Sequence, residues 1–448
     1  MFIINLDKII IISIISVTVL IFCLFIAVNI RRLIKYMSYK RLDIAREKYE
    51  EILRPLLLNK VHIDYDTCYV NKKSVEWKAV EDVLFHAMAK GHATSEDITG
   101  IFDRLGYIDT YIKDIVSGNR YNRALAAEKL GRLKAPQATE YIVKAMNDTA
   151  RDVRTVAVRS LGNIRDVRAI EPLIAKFVSA AQDPHSLPLR VVKTSVMKYR
   201  NDALPLLIPL MGHSSWRVRG QAADVIGEIA EASAVVHLLP MLGDTEPDVR
   251  IKAVKALGNI RHEDAFQPLT GMIRDSSWIV RLQVAKTLGC MGGSEAVPPL
   301  VDLLSDLHWQ VREAAVQAIS SLGRMASPAL LKVLLLMRDR YAREQVIAEL
   351  QSTEILNSQF DMLCSADIKE RETASLLLVA AGNSGAWSII ADAVREHENP
   401  CVRKRLIHVI KLIVNDDAEN VLREVSDGDP DESVRDAARL VLEKTLCR

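Results

Sequence analysis

The chain has 448 residues, 49% hydrophobic and 26% charged, with a net charge of +2. That is enough apolar material for a large core, and a near-neutral total excludes the chain-wide positive field that gathers nucleic acid. How the charge is distributed says more than its sum.

Residues 9–30, from Ile9 through Ile30, contain no charged side chain. As a helix these 22 residues would reach about 33 Å, enough to cross a hydrocarbon layer of ~30 Å. Only Asp7 and Lys8 precede the run, whereas Arg31, Arg32, Lys35, Lys40, Arg41, Arg46 and Lys48 follow it, against Asp43 and Glu47. A secretory leader carries its positive charge ahead of a shorter apolar run, so the pattern predicts one transmembrane helix. Basic residues stay on the cytoplasmic side. Residues 1–8 are then a short extracytoplasmic tail, and everything after residue 30 lies in the cytoplasm at the inner (cytoplasmic) membrane. The cysteines agree: Cys23, Cys68, Cys290, Cys364, Cys401 and Cys447 are scattered without a Cys-x-x-Cys, as in a reduced compartment rather than a disulfide scaffold.

Residues 31–73 read as a basic juxtamembrane helix and linker. The helix covers 39–59, with Leu42, Ile44, Ala45, Tyr49, Ile52 and Leu53 as its apolar side, and the linker holds Pro55, Asp64 and Asp66. Its basic flank (Arg31, Arg32, Lys35, Lys40, Arg41) suits anionic headgroups. Helical segments near 74–90, 94–104 and 106–116 follow, the first with Trp77, Val80, Val83, Leu84 and Met88 as its stripe. They do not share the pattern that comes after them, as expected of a cap over 74–117 that covers the first apolar face of a repeat array.

From residue 118 to 448 the chain repeats. Val-Arg pairs stand at 218/219, 249/250, 280/281 and 311/312, each step 31 residues. Further anchors fall at Arg123, Arg154, Arg190, Arg343, Ala374, Arg403 and Arg435, giving about eleven units. In the unit 244–274, Val249, Ala253, Val254 and Leu257 form one helical stripe. Asp244 sits in the entering turn, where it can accept amide protons. Gly258, like Gly131, Gly162, Gly227 and Gly289, follows its arginine by eight places, where a left-handed helix end belongs. Pro268, Pro172 and Pro299 lie 18 beyond their arginines and mark a second helix. The small residue three places after the arginine (Ala126, Ala157, Ala222, Ala253, Ala315) allows close helix approach. Extra length around Arg190 goes into Ser179–Pro188, read as a longer turn on a binding edge. Gly382, 31 beyond Gln351, marks the unit at Ala374 as eroded rather than as a domain break.

The motif Asp…Val-Arg…Ala…Leu-Gly resembles the HEAT repeat, in the short bacterial form similar to phycobilin-lyase HEAT-like repeats. The resemblance covers about three quarters of the chain. It implies an all-α fold, a right-handed α-solenoid of HEAT-like helical hairpins, here preceded by the single transmembrane helix. It also implies a scaffold or adaptor that binds a protein partner, in a bacterial envelope complex such as a polysaccharide glycosyltransferase system. The alternative it carries is a phycobilin-lyase-like enzyme acting on a chromophore-bearing protein. A glycosylase-like, DNA-binding reading conflicts with membrane tethering.

Two sets of residues compete for a role. The repeating arginines Arg123, Arg154, Arg219, Arg250, Arg281 and Arg312 could line a phosphate groove. Recurring in register with the core, they read instead as structural, satisfied by carboxylates and carbonyls of neighbouring repeats. Trp216, Trp278 and Trp309 each stand three residues before a motif arginine and define the candidate partner-contact edge; as structure, each indole would pack over the turn of the preceding repeat. The ten histidines show no metal-ligand spacing, and no phosphate loop or nucleophile elbow is present. The sequence therefore predicts no enzyme, no cofactor, no metal and no nucleic-acid partner.

Overall fold

Every regular element among the described residues is a helix. The computed structural model describes residues 6–57, 70–72, 74–91, 95–183, 185–322, 334, 344, 346–348 and 355–446. The expectations placed on Asp64, Asp66, Cys68, Arg343, Gln351 and Cys447 lie outside them. The chain resolves into two compact units, residues 1–173 with 190–198, and residues 174–189 with 199–448.

The first unit opens with α1 (Leu6–Leu57), 52 residues in one unbroken helix and roughly 78 Å long. The sequence suggested two helices, one in the membrane and one beyond it. They are one, and Pro55, read as part of the linker, falls in the last turn. From residue 13 to 41 every side chain is exposed. Beyond that, Leu42, Ala45, Tyr49 and Leu53 are buried where α1 packs against α2 (Val75–Lys90). Ile44, assigned to this face, is 60% exposed and points away from it. Arg46 fastens the junction, donating from Nη2 and Nε to Asp82 on α2 at 2.6 and 3.1 Å.

Three helices follow where the sequence put them: α2, capped by the Ser74 hydroxyl on the Trp77 amide, α3 (Ser95–Arg104) and α4 (Tyr107–Ser117). Their core is aromatic. Trp77 stacks on Tyr107 with centroids 3.7 Å apart, and Phe102 and Phe85 complete the cluster. These helices lie against the first helix of the repeats, α5 (Arg120–Leu133). Thr99 donates to the Leu133 carbonyl at 2.6 Å, and buried Glu81 accepts from both the Tyr111 hydroxyl and Lys129. After α6 (Thr139–Ala145) comes α7 (Arg151–Ile164).

The second unit carries the hairpins in their most regular form. Its first helices are α11 (Trp216–Ile229), α13 (Pro247–Ile260), α15 (Trp278–Met291) and α17 (Trp309–Ser321). The second helices are short: α10 (Leu204–Leu207), α12 (Val235–Leu238), α14 (Phe266–Gly271) and α16 (Val297–Leu303), each entered through a single 3₁₀ turn and all but α16 finished in another. Pro268 and Pro299 sit in their first turns, where a missing amide costs nothing. Val249, Ala253, Val254 and Leu257 are all fully buried, as is Leu269 on the paired helix.

Beyond residue 354 come α18 (Ile355–Met362), α19 (Ile368–Ala381), α20 (Trp387–Glu396), α21 (Pro400–Ile410), α22 (Ala418–Gly428) and α23 (Glu432–Leu446). A wide turn at Gly382–Ala386, with Gly385 at φ 122°, joins α19 to α20. The combined stretch Ile368–Glu396 is long and apolar enough to cross a membrane, but half of its most apolar window is buried, as in a core hairpin.

Within the repeats, three further sequence expectations change. The repeat glycines do not end helices; they lie inside them. A Cβ on Gly227 would fall 2.4 Å from Ala256, one on Gly258 2.5 Å from Thr287, and one on Gly289 2.6 Å from Ala318. Glycine is needed because the first helices of successive repeats touch there. The left-handed caps come three residues later, at Lys134, Arg165, Ala230 and Arg261, with φ between 52° and 61°. Second, the segment Ser179–Pro188 is not all turn, because α8 (Ile170–Gln182) extends through Gln182 before α9 (Leu189–Met197) begins. Third, the anchor of the eroded unit is Arg371 rather than Ala374. Its Nη1 donates to the Ser365 carbonyl at 2.8 Å, six residues back, as the other anchors do. Arg190 is exposed.

Candidate functional site

The arginines form an internal ladder. Arg250 sets Nε and Nη2 on the two carboxylate oxygens of Asp275, each at 2.8 Å, and its Nη1 on the Asp244 carbonyl at 2.8 Å. Asp244 in turn receives Arg219 at 2.7 and 2.8 Å and accepts the Glu246 amide at 2.9 Å. Arg123 with Asp148, Arg281 with Asp306 and Arg403 with Asp429 repeat the fork. Arg154 and Arg312 donate to the carbonyls of Asp148 and Asp306 at 2.9 and 2.7 Å. A bidentate guanidinium–carboxylate pair is the strongest ordinary form of this contact. Each aspartate therefore clamps its own turn and two successive arginines. The Arg123 and Arg219 guanidinium groups hold Asp148 and Asp244 below the usual carboxylate range against the opposing effect of burial. Their forks are turned onto these aspartates and turn carbonyls, and the open groove of about 850 Å³ that Arg281 borders is lined as well by Asp275, Asp302 and Asp306.

The three tryptophans do not share one environment. Trp278 is half-buried and stacks on His308 of the following repeat, with centroids 5.3 Å apart and planes 7° from parallel. Trp309 is 58% exposed beside Leu307, which is 92% exposed. Trp216 lies under the Arg217 guanidinium, 5.1 Å from its ring centre. It also lines a cavity of about 290 Å³ with Ala180, Ala181, Leu189, Asp248 and Lys252. The insertion and the first tryptophan, two separate signals in the sequence, meet in this one place. It offers an apolar floor (Ala180, Ala181, Leu189 and the indole) rimmed by Arg217, Lys252 and Asp248, which suits a side chain of a protein partner better than a reacting small molecule.

Sequence reasoning missed a polar groove of about 610 Å³ across the C-terminal halves of α11, α13 and α15, lined by Glu228, Lys255, Asn259, Arg261, Gln283 and Lys286. It also missed buried Asp224, flanked by Lys252 and Lys255 at 3.4 Å. Each of these residues occupies a variable place in its repeat, so no periodic signal announces it. The basic residues Arg31, Arg32, Lys35, Lys40 and Arg41 are exposed along α1. Among the described residues, no three His, Cys, Asp or Glu side chains group as metal ligands.

Over 110 residues the chain is 32% identical to the bilin biosynthesis protein PecE of Mastigocladus laminosus, a stretch covering 24% of this chain and 40% of PecE. The chain thus spans about two fifths of that curated relative. Among solved structures it is similar to an engineered protein (16% identity, 75% of this chain and 98% of that one, TM-score 0.36). It is also similar to Kap121p (12% identity, 90% of this chain and 53% of that one, TM-score 0.43). The model of HEAT repeats matches residues 110–190, 203–287, 235–320 and 272–351, together more than half of the chain. With the Asp–Arg ladder and the glycine contacts between successive hairpins, this makes the chain a member of the HEAT-repeat family.

Proposed function

We propose that this protein is a membrane-anchored HEAT scaffold that holds a protein partner at the cytoplasmic face of a bilayer. One observation carries the reading: residues 13–41 of α1 are exposed throughout, apolar up to Ile30 and basic after it, and the same helix then buries Leu42, Ala45, Tyr49 and Leu53 on the cap. An apolar helix of this length without a protein partner needs lipid. Its unbroken continuation couples the anchor to the repeat array. Confinement to a membrane raises the effective concentration of the scaffold for other membrane proteins. The basic stretch supports a topology with residues 1–8 outside and the repeats in the cytoplasm. The partner we propose is an integral-membrane component of an envelope assembly, of the kind a polysaccharide glycosyltransferase system provides. Isolating the full chain from membranes in mild detergent tests this: an integral-membrane protein should co-purify in fixed ratio, and repeated recovery of the chain alone would overturn it.

The likeness to PecE favours a second reading, an enzyme that handles a bilin. Incubating the purified full chain with a free bilin should leave the bilin spectrum unchanged if the scaffold reading is right. A shifted visible band that stays with the protein through denaturing gel electrophoresis would instead establish the enzyme.

A further inference from the structure

Cys364 and Cys401 are far apart in sequence, and nothing in their spacing links them. In the fold their Sγ atoms lie 2.7 Å apart. Cys364 sits in the turn after α18, its amide held by the Asp361 carbonyl at 3.0 Å, next to buried Phe360 and Leu363. Cys401 sits in the first turn of α21, its amide held by the Asn399 side chain at 2.9 Å, next to fully buried Val402. Both backbones are therefore pinned by core contacts on the adjacent residue. Cys364 is half-buried and Cys401 exposed. Burial and the facing Cys401 sulfur push the Cys364 thiol up to about 11, with Arg405 pulling the other way. A soft-metal site needs further ligands, and among the described residues none groups with this pair.

We infer that Cys364 and Cys401 are a reversible oxidation site that closes to a disulfide on contact with a small-molecule disulfide such as oxidised glutathione. The exposed Cys401 thiolate attacks one glutathione sulfur and expels the other half as glutathione thiolate. Cys364 then gives up its proton, attacks the Cys401 sulfur and expels the second glutathione. Two protein thiols lose two electrons and two protons, and one oxidised glutathione becomes two reduced ones. The bond would tie α18 to α21 and enclose the whole α19–α20 hairpin, including the turn at Gly385. Oxidation would then fix the C-terminal repeats in one packing, and reduction would release them.

The test uses the full chain in detergent micelles, exposed to oxidised glutathione and then alkylated and digested. The expected product is a peptide pair joined through Cys364 and Cys401, lighter by two hydrogen atoms than the two thiol peptides together and separated by dithiothreitol. Cys290, exposed and with no facing thiol among the described residues, should instead take up glutathione. In Cys364→Ser the adduct on Cys401 should persist, because the resolving sulfur is gone. Glutathione carried separately by Cys364 and Cys401 in the unsubstituted chain, or cross-links of either to Cys290 in place of each other, would overturn the assignment. A Cys364→Ser/Cys401→Ser chain that resists cleavage within 365–400 equally before and after oxidation, while the unsubstituted chain gains resistance, separates the bond from a general effect of the oxidant.

Discussion

At the scale of single residues, the arginine–aspartate forks are where this fold is most exposed to damage. The side chains of Arg403 and Asp429 are 6% and 1% exposed. Removing one partner from such a pair leaves an uncompensated charge inside the protein, at a cost of about 3–5 kcal/mol. Arg403→Ala should therefore lower the unfolding free energy of the second unit by about that much in urea titration. Arg423→Ala removes a surface pair with Glu419 on α22 and should change it by no more than about 0.5 kcal/mol. The carboxylates also set a pH dependence. Asp148 and Asp244 ionise below their unfolded range because arginine holds the charged form, so the folded state binds fewer protons there. Their contribution is complete above an unfolded value of about 4 and is lost as pH falls through the lower folded values. Thermal melts should be flat between about pH 5 and 7 and drop below about pH 4, and Asp244→Asn should shallow that drop.

At the scale of elements, glycine separates helices that touch from helices that do not. Gly227 on α11 faces Ala256 on α13 with no room for a methyl group. Gly227→Ala should force the two helices apart and cost about 1–3 kcal/mol despite the better helix propensity of alanine. Gly271 at the end of α14 has nothing within 4 Å of a Cβ. Gly271→Ala there should be neutral or stabilise by up to about 1 kcal/mol. Denaturation midpoints of the two variants check both signs. The same scale governs α1: each arginine placed mid-span costs about 2.5–3.5 kcal/mol of insertion. Leu20→Arg/Leu24→Arg should shift the chain from the membrane fraction to the soluble fraction. If the doubly substituted chain still sedimented with membranes after a high-salt wash, the anchoring role of α1 would be lost.

For the whole molecule, the proposed anchoring predicts that the repeats lie on the cytoplasmic side of a bilayer. Cys290 reports it, being exposed on α15. A membrane-impermeant maleimide should leave Cys290 unlabelled in intact cells and label it after permeabilisation. Labelling of intact cells would reverse the proposed topology. The partner should meet the cavity at Trp216, where Trp216→Ala is expected to weaken co-purification by tenfold or more, on the scale of about 2 kcal/mol for a buried aromatic anchor. Trp278→Ala, which removes a stack inside the array, should cost stability and spare binding.

The primary sequence determined the class of fold, the paired-helix unit, the three helices between residues 75 and 117 and the apolar N-terminal helix, because each is written in local periodicity. A buried stripe at Val249, Ala253, Val254 and Leu257 recurs every turn of one helix, and a 31-residue step repeats it. The glycine position was just as visible, but its reason was not, since a contact between Gly227 and Ala256 joins residues that no local rule connects. The same holds for the meeting of Trp216 with the insertion, for Arg371 in place of Ala374, and for the facing sulfurs of Cys364 and Cys401. Local chemistry fixes which residues form a helix; only packing between hairpins decides which side chains, distant along the chain, come to share a surface.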